Sequence, residues 1–247
     1  MDAGYKSRRA PSAAAGPQLP RIAITGGTSG LGLALLRELH GRGARLAFVA
    51  RTAARVAAVE AELPGVAGIV GDVADKQAIH PIALQILGRL GGLDMLVNNA
   101  SSLGPVPLAP LADTDCEALE LALATNVLGP FRLTKACLGA LTAAARAGRG
   151  PLVLNVSSDA AVTPYPGWGA YGASKAALRH LSAIWQEELK EEGVSLVSHD
   201  PGDMDTPLHA AALPGADRSL LKPPGVAARE VADLLWGRWE HAQGVAA

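Results

Sequence analysis

Tyr171 and Lys175 stand four residues apart in GAYGASKAAL, residues 169 to 178. The Ala and Leu content favours a helix, and on a helix positions i and i+4 share one face, a turn apart. An ammonium so placed favours phenolate and lowers a reference pKa of about 10 toward neutrality. The pair would then be an acid or base with its tuning charge, suited to moving a proton at a substrate oxygen. The same spacing also describes an exposed Tyr beside an exposed Lys, so context must decide. Position i+4 holds Arg9 after Tyr5 and Gly169 after Tyr165, so of the three tyrosines Tyr171 alone has the lysine.

A second stretch, TGGTSGLG at 25 to 32, follows the apolar run RIAIT and opens the helix-like LALLRELHGRG. Gly26, Gly30 and Gly32 let the backbone turn sharply, approach a pyrophosphate closely and pack a helix against a sheet. Thr28, Ser29 and Leu31 complete the stretch assigned to a nucleotide, with unpaired helix-start amides facing the anion. No Lys follows Gly32 as a P-loop demands, and there is no GxSxG elbow. The next strand ends Ala50-Arg51-Thr52 without the carboxylate that would hydrogen-bond a ribose 2′-hydroxyl. Arg51 can instead pair with a 2′-phosphate, with help from the Thr52 hydroxyl, which favours NADP over NAD. A solvated helix-start arginine would look the same.

These segments need a scaffold, and the periodicity supplies one. Strand candidates fall at 21 to 25, 45 to 50, 66 to 70, 93 to 98, 151 to 157 and 194 to 199. Helix candidates alternate with them near 30 to 42, 52 to 62, 75 to 90, 113 to 147, 171 to 192 and 226 to 240. Continuous apolar strands, each followed by a crossover helix, imply an α/β fold: one doubly wound, Rossmann-type parallel sheet with helices on both faces. Ligands bind outside the carboxyl ends of such strands, so the residues just after each strand are the informative ones.

Composition narrows the function classes. A net charge of -1 with 4% aromatic residues lacks the basic face and stacking rings of a nucleic-acid binder. No uninterrupted apolar run is long enough to span a membrane. Cys116 and Cys137 read as small hydrophobes in a reducing compartment, and the six histidines show no metal-ligand spacing. Residues 1 to 20 lack periodicity and an apolar block, so they are expected to form a mobile tail before a single domain over 21 to 247, and a cytoplasmic location follows.

In order along the chain, these pieces resemble the short-chain dehydrogenase/reductase family from Arg21 to about Trp239. TGGTSGLG resembles its TGxxxGxG, Asp72-Val73 its adenine-contacting acid, and Asn98-Asn99-Ala100 its NNAG segment. Asn126 in TNVLG, Ser158 in NVSSDA, Tyr171 and Lys175 in YGASK, and Pro201-Gly202 with Thr206 in PGDMDT complete the series. The resemblance implies hydride transfer between a nicotinamide and a carbonyl or alcohol carbon. Tyr171 would be the acid or base and Lys175 its electrostatic partner, also holding the nicotinamide ribose. Ser158 would donate to the substrate oxygen. Asn126 would kink a helix so that its backbone holds a relay water.

Asn98, Ala100, Pro201, Gly202 and Thr206 join the cofactor set, although Thr206 could equally cap the next helix. Ser157 is the alternative to Ser158; alternation along PLVLNVSS and the family's separation of thirteen residues to the tyrosine favour Ser158. Leu103, Val162, Tyr165, Trp168, Leu208 and His209 are expected to line a mostly apolar substrate site for a small or medium hydrophobic ketone, aldehyde or secondary alcohol. GWGAY and PGDMDT are also similar to the sepiapterin-reductase branch, and an NADP-sensing regulator is the alternative of a different class. The resemblance further implies a homodimer or homotetramer. After the last helix, WGRWEHAQGVAA leaves space for only a stub where relatives place a seventh strand.

Overall fold

The computed structural model describes residues 19–244. The tail expected over 1 to 20 therefore lies almost wholly outside the described residues. Elements run β1 (Arg21–Thr25), α1 (Gly30–Gly41), β2 (Arg45–Ala50), α2 (Ala53–Glu62), β3 (Ala67–Val70), α3 (Ile79–Leu90) and β4 (Met95–Asn98). Then follow α4 (Cys116–Leu123), α5 (Gly129–Arg146), β5 (Leu152–Val156), α6 (Gly169–Glu188), β6 (Ser195–His199), α7 (Pro207–Ala212) and α8 (Pro224–Ala242). The six strands form one parallel sheet in the order β3-β2-β1-β4-β5-β6. Among the described residues no seventh strand extends it.

Period-two alternation divides the sheet's side chains between two layers. Ile22, Ile24, Phe48, Val97 and Leu154 pack with α1, α2 and α8. Ala23, Val49, Leu96 and Val153 face the other way, toward α3 and α5. Each helix presents an apolar stripe to its layer, as Leu31, Leu35 and Leu39 do along α1. Strand order reverses between β1 and β4, and this switch point leaves a crevice at the carboxyl end of the sheet.

The long helix expected over 113 to 147 is not continuous. α4 runs into a single π turn, Ala124–Leu128, before α5 resumes with Pro130 in its first turn. A π turn carries one residue more than an α turn and changes the helix direction, and here it contains Asn126.

The opposite, amino-terminal end of the sheet is tied by one fully buried carboxylate. Asp94 receives Arg149 Nε at 2.7 Å and Arg21 Nη2 at 2.7 Å, and its second oxygen takes the Arg21 backbone amide at 2.8 Å. Burial pushes the Asp94 carboxyl up, but hydrogen bonds from Arg149 and Arg21 outweigh it and hold the group below the usual range. A lowered folded value makes the contribution present above the unfolded carboxyl value and lost as pH falls through the folded one. Asp94→Asn, which strips charge from a buried pair, is expected to cost about 3–5 kcal/mol of unfolding free energy. Urea denaturation at neutral pH measures it, and an unchanged midpoint would remove this knot from the account of stability.

Candidate active site

Six loops leave the carboxyl ends of the strands and enclose a cleft of about 760 Å³. The first is shaped by glycine. Gly26 and Gly30 hold φ of 73° and 52°, where L side chains are strained. A Cβ at Gly32 would overlap the Gly26 carbonyl oxygen, so this position packs α1 against the turn and does not itself line the cleft. Ser29 precedes α1 without a side-chain cap, and the helix has no acidic residue in its first turn. Its first amides are therefore available to an anion.

Gly26, Thr28, Ser29, Gly30 and Leu31 line the cleft, followed along its length by Arg51, Thr52, Asp72, Val73 and Ala100. Pro201, Gly202 and Thr206 close the far side. Thr206 Oγ1 accepts from the His209 amide at 3.2 Å, so this threonine caps α7 while also lining the cleft. A glycine cradle, a bare helix start and a cationic end at Arg51 fit a dinucleotide carrying phosphate groups.

Asn98 departs from the expected set. Its Nδ2 donates to Asn155 Oδ1 at 2.7 Å and Thr134 Oγ1 at 3.3 Å, inside the layer beneath α5. Asn155 in turn donates to Ser182 Oγ of α6 at 2.8 Å. Asn98 therefore belongs to a buried polar network between strands and helices, because the last residue of a strand still follows the pleat. The neighbouring Asn99 is the one on the cleft. Its Nδ2 donates to Thr25 O at 2.9 Å, while Thr25 Oγ1 accepts the Asn99 and Ala100 amides, each at 3.0 Å.

Asn126 is fully buried in the π turn. Its Oδ1 accepts the Ser102 amide at 2.8 Å, and its Nδ2 donates to Ser102 O at 2.7 Å and Ser174 Oγ at 2.8 Å. One amide thus fastens the loop after β4 to α6, the helix bearing Tyr171 and Lys175.

Both of those side chains are buried and line the cleft. Lys175 Nζ donates to the Val156 carbonyl at 2.7 Å and lies 5.5 Å from the Tyr171 ring centre. The direction expected for the phenol is reversed. Burial pushes Tyr171 up to about 12, with the Ser158 and Ser101 hydroxyls beside it pulling the other way. Burial also pushes Lys175 down to about 8, opposed by the nearby Asp200 carboxylate. The i+4 geometry is as expected, but loss of water around both groups dominates their shifts.

Ser158 and Ser157 both line the cleft, and Ser158 sits at the turn where the chain leaves β5. Leu103, Tyr165, Trp168, Leu208 and His209 form part of the wall, with Trp168 edge-on to Tyr171 at 5.7 Å between ring centres. Val162, expected among them, is 67% exposed and does not line the cleft. Arg55, Asp159, Asp200 and Leu121 line it without having been singled out. Arg55 was within reach of sequence reasoning, lying one helical turn beyond Arg51.

The profile of the short chain dehydrogenase family matches residues 20–216. The chain is a short-chain dehydrogenase. Like other members of the short-chain dehydrogenase/reductase family it is an oxidoreductase acting on CH–OH or C=O groups. L-xylulose reductase of Bos taurus is 30% identical over 78% of this chain and 75% of its own. Serine 3-dehydrogenase of Agrobacterium fabrum is 34% identical over 75% and 72%. Among solved structures, a short chain dehydrogenase from Burkholderia cenocepacia in complex with NADP is 27% identical, with a TM-score of 0.76, covering 89% of this chain and 92% of that one.

If Tyr171 and Lys175 take part in the reaction, their shifts predict how its rate depends on pH. Tyr171 stays protonated through neutrality, whereas Lys175 loses its charge as pH rises through about 8. Turnover is expected to slow across that limb. A kcat/KM profile measures it, and a profile flat through that region would separate the Lys175 charge from the reaction.

Proposed function

We propose that this short-chain dehydrogenase reduces ketones or aldehydes with NADPH, and that Tyr171, Lys175, Ser158 and Asn126 carry the reaction. A nicotinamide dinucleotide, when bound, supplies or accepts the hydride. The chain's own residues do the rest. Buried Lys175, fixed on Val156 O beside the Tyr171 ring, is the observation that carries this reading. A phenol protonated throughout the neutral range is equipped to give its proton to a carbonyl oxygen, the role reduction asks of it. Ser158 adds a hydrogen bond to the same oxygen as negative charge grows there. Asn126 keeps the helix carrying the acid in register with the loop after β4.

NADP is favoured over NAD by Arg51, with Arg55 one turn further along the cleft and no carboxylate at the end of β2. Both guanidiniums are free to approach a 2′-phosphate from the exposed side. Asp72 and Val73 are assigned to the adenine, and Pro201, Gly202 and Thr206 to the nicotinamide end. The same reading assigns pairing of chains to the surfaces of the α4–α5 run and of α6, which is supported by exposed Leu128 in the π turn and Ile184 on α6.

Two measurements test the proposal. Tyr171→Phe is expected to lower kcat with a ketone panel by about 10²–10⁴-fold while leaving NADPH affinity near that of the wild type; unimpaired turnover would overturn the assignment. Arg51→Ala is expected to weaken NADPH binding about tenfold to a hundredfold and NADH binding little, read by nicotinamide fluorescence titration. Equal effects on the two nucleotides would end the case for NADP.

A further inference from the structure

Asp159 follows Ser158 directly and lines the cleft with it. Ser158 Oγ accepts the Ala160 amide at 3.2 Å and donates its one proton to Asp159 Oδ1 at 3.0 Å. The second carboxylate oxygen accepts the Tyr165 hydroxyl at 2.7 Å. Tyr165, and to a lesser degree Ser158, hold the Asp159 carboxyl below the usual range, so it remains an acceptor and never a donor at neutral pH.

This arrangement sets a competition for one hydrogen. A serine hydroxyl has a single proton, and here a carboxylate holds it, in a stronger bond than a neutral carbonyl can offer. An unsubstituted ketone can receive the Ser158 hydrogen bond only by drawing that proton away from Asp159, and it brings no donor in exchange. A carbonyl bearing a hydroxyl or amino group on the adjacent carbon brings its own replacement donor. The two heteroatoms of such a pair are separated by about one hydrogen-bond length. They can therefore meet Ser158 Oγ and Asp159 Oδ1 together, since these atoms are spaced in the same way. Leu103, Trp168 and Leu208, also on the wall, offer no acceptor of comparable strength.

The geometry points to Asp159 as a specificity-determining residue that selects carbonyl substrates with a hydrogen-bond donor on the neighbouring carbon, the donor displacing Ser158 and freeing its proton for the reacting oxygen. This inference rests on the carbonyl-reductase reading above and replaces its hydrophobic-ketone expectation with an α-hydroxy or α-amino carbonyl.

The test is a ratio. With purified protein and NADPH, kcat/KM is measured for cyclohexanone against 2-hydroxycyclohexanone and for acetone against hydroxyacetone and aminoacetone. Wild type, Asp159→Ala, Asp159→Asn and Tyr165→Phe are compared, so that the intrinsic reactivity of each ketone cancels between proteins. The donor-bearing member is expected to be favoured in the wild type, and Asp159→Ala to shrink that preference about tenfold to a hundredfold. Efficiency on the donor-bearing ketone should fall more than on the plain one, whereas a merely structural role for Asp159 would lower both alike. Asp159→Asn, which keeps one neutral acceptor, should fall between, and it decides the matter if Asp159→Ala does not bind NADPH. Tyr165→Phe should retain the preference. A wild type without preference, or a ratio unmoved in both Asp159 variants, overturns the inference while leaving the reductase intact. No turnover by the wild type on any of these carbonyls overturns the reductase reading and this inference with it.

Discussion

The cleft exists because two loops that diverge at the reversal of the sheet are sewn together at their roots. Thr25, the last residue of β1, accepts two successive amides of the β4 loop on its hydroxyl, and Asn99 returns a hydrogen bond to the Thr25 carbonyl. Without that stitch, the glycine turn and the β4 loop would separate where both line the cleft. A Cβ at Gly26 would lie 2.9 Å from Asn99 Nδ2, so the absent side chain is the condition for the stitch. Through Ser102 the β4 loop of this junction also meets Asn126 of the π turn, which bonds Ser174 of α6.

Around Tyr171 and Lys175, desolvation sets the electrostatics. An i+4 pair on an exposed helix would tune each other in solvent, with the cation lowering the phenol. Buried together, each group is pushed toward its neutral form, the phenol upward and the ammonium downward. Val156 O supplies the acceptor that makes a buried ammonium tolerable. Acidity at this site is thereby fixed chiefly by shielding from water.

Much of this was legible because the relevant signals are local. Short apolar runs alternating with Ala/Leu-rich windows placed every strand to within two residues at either end. The glycine loop, Arg51, Ser158, Tyr171 and Lys175 each follow a strand or share a helix face, and these are properties of spacing. What escaped depended on partners distant in sequence. Nothing in Asn98-Asn99 says which amide turns inward, because the answer lies with Asn155 and Thr134 across the layer. The interruption of the helix over 113 to 147 is likewise invisible in its Ala and Leu content, since Asn126 forms its bonds with Ser102 and Ser174. Val162 was misplaced for the converse reason: an apolar residue in a loop need not face a ligand.

The π turn solves a problem of phase. Each residue advances an α-helix by about 100°, so a straight rod keeps one stripe facing one neighbour along its whole length. Upstream of the turn, Leu121 lines the cleft, and Thr125 lines it from within the turn; downstream, Leu133, Cys137 and Leu141 are pressed against the sheet. The surplus residue rotates one stripe relative to the other, so a single run of chain serves a ligand with its first half and the hydrophobic interior with its second. Shortening Ala124–Leu128 by one residue would restore a continuous ladder and bring the two stripes into a common phase, leaving a helix able to satisfy one of those surroundings only by abandoning the other.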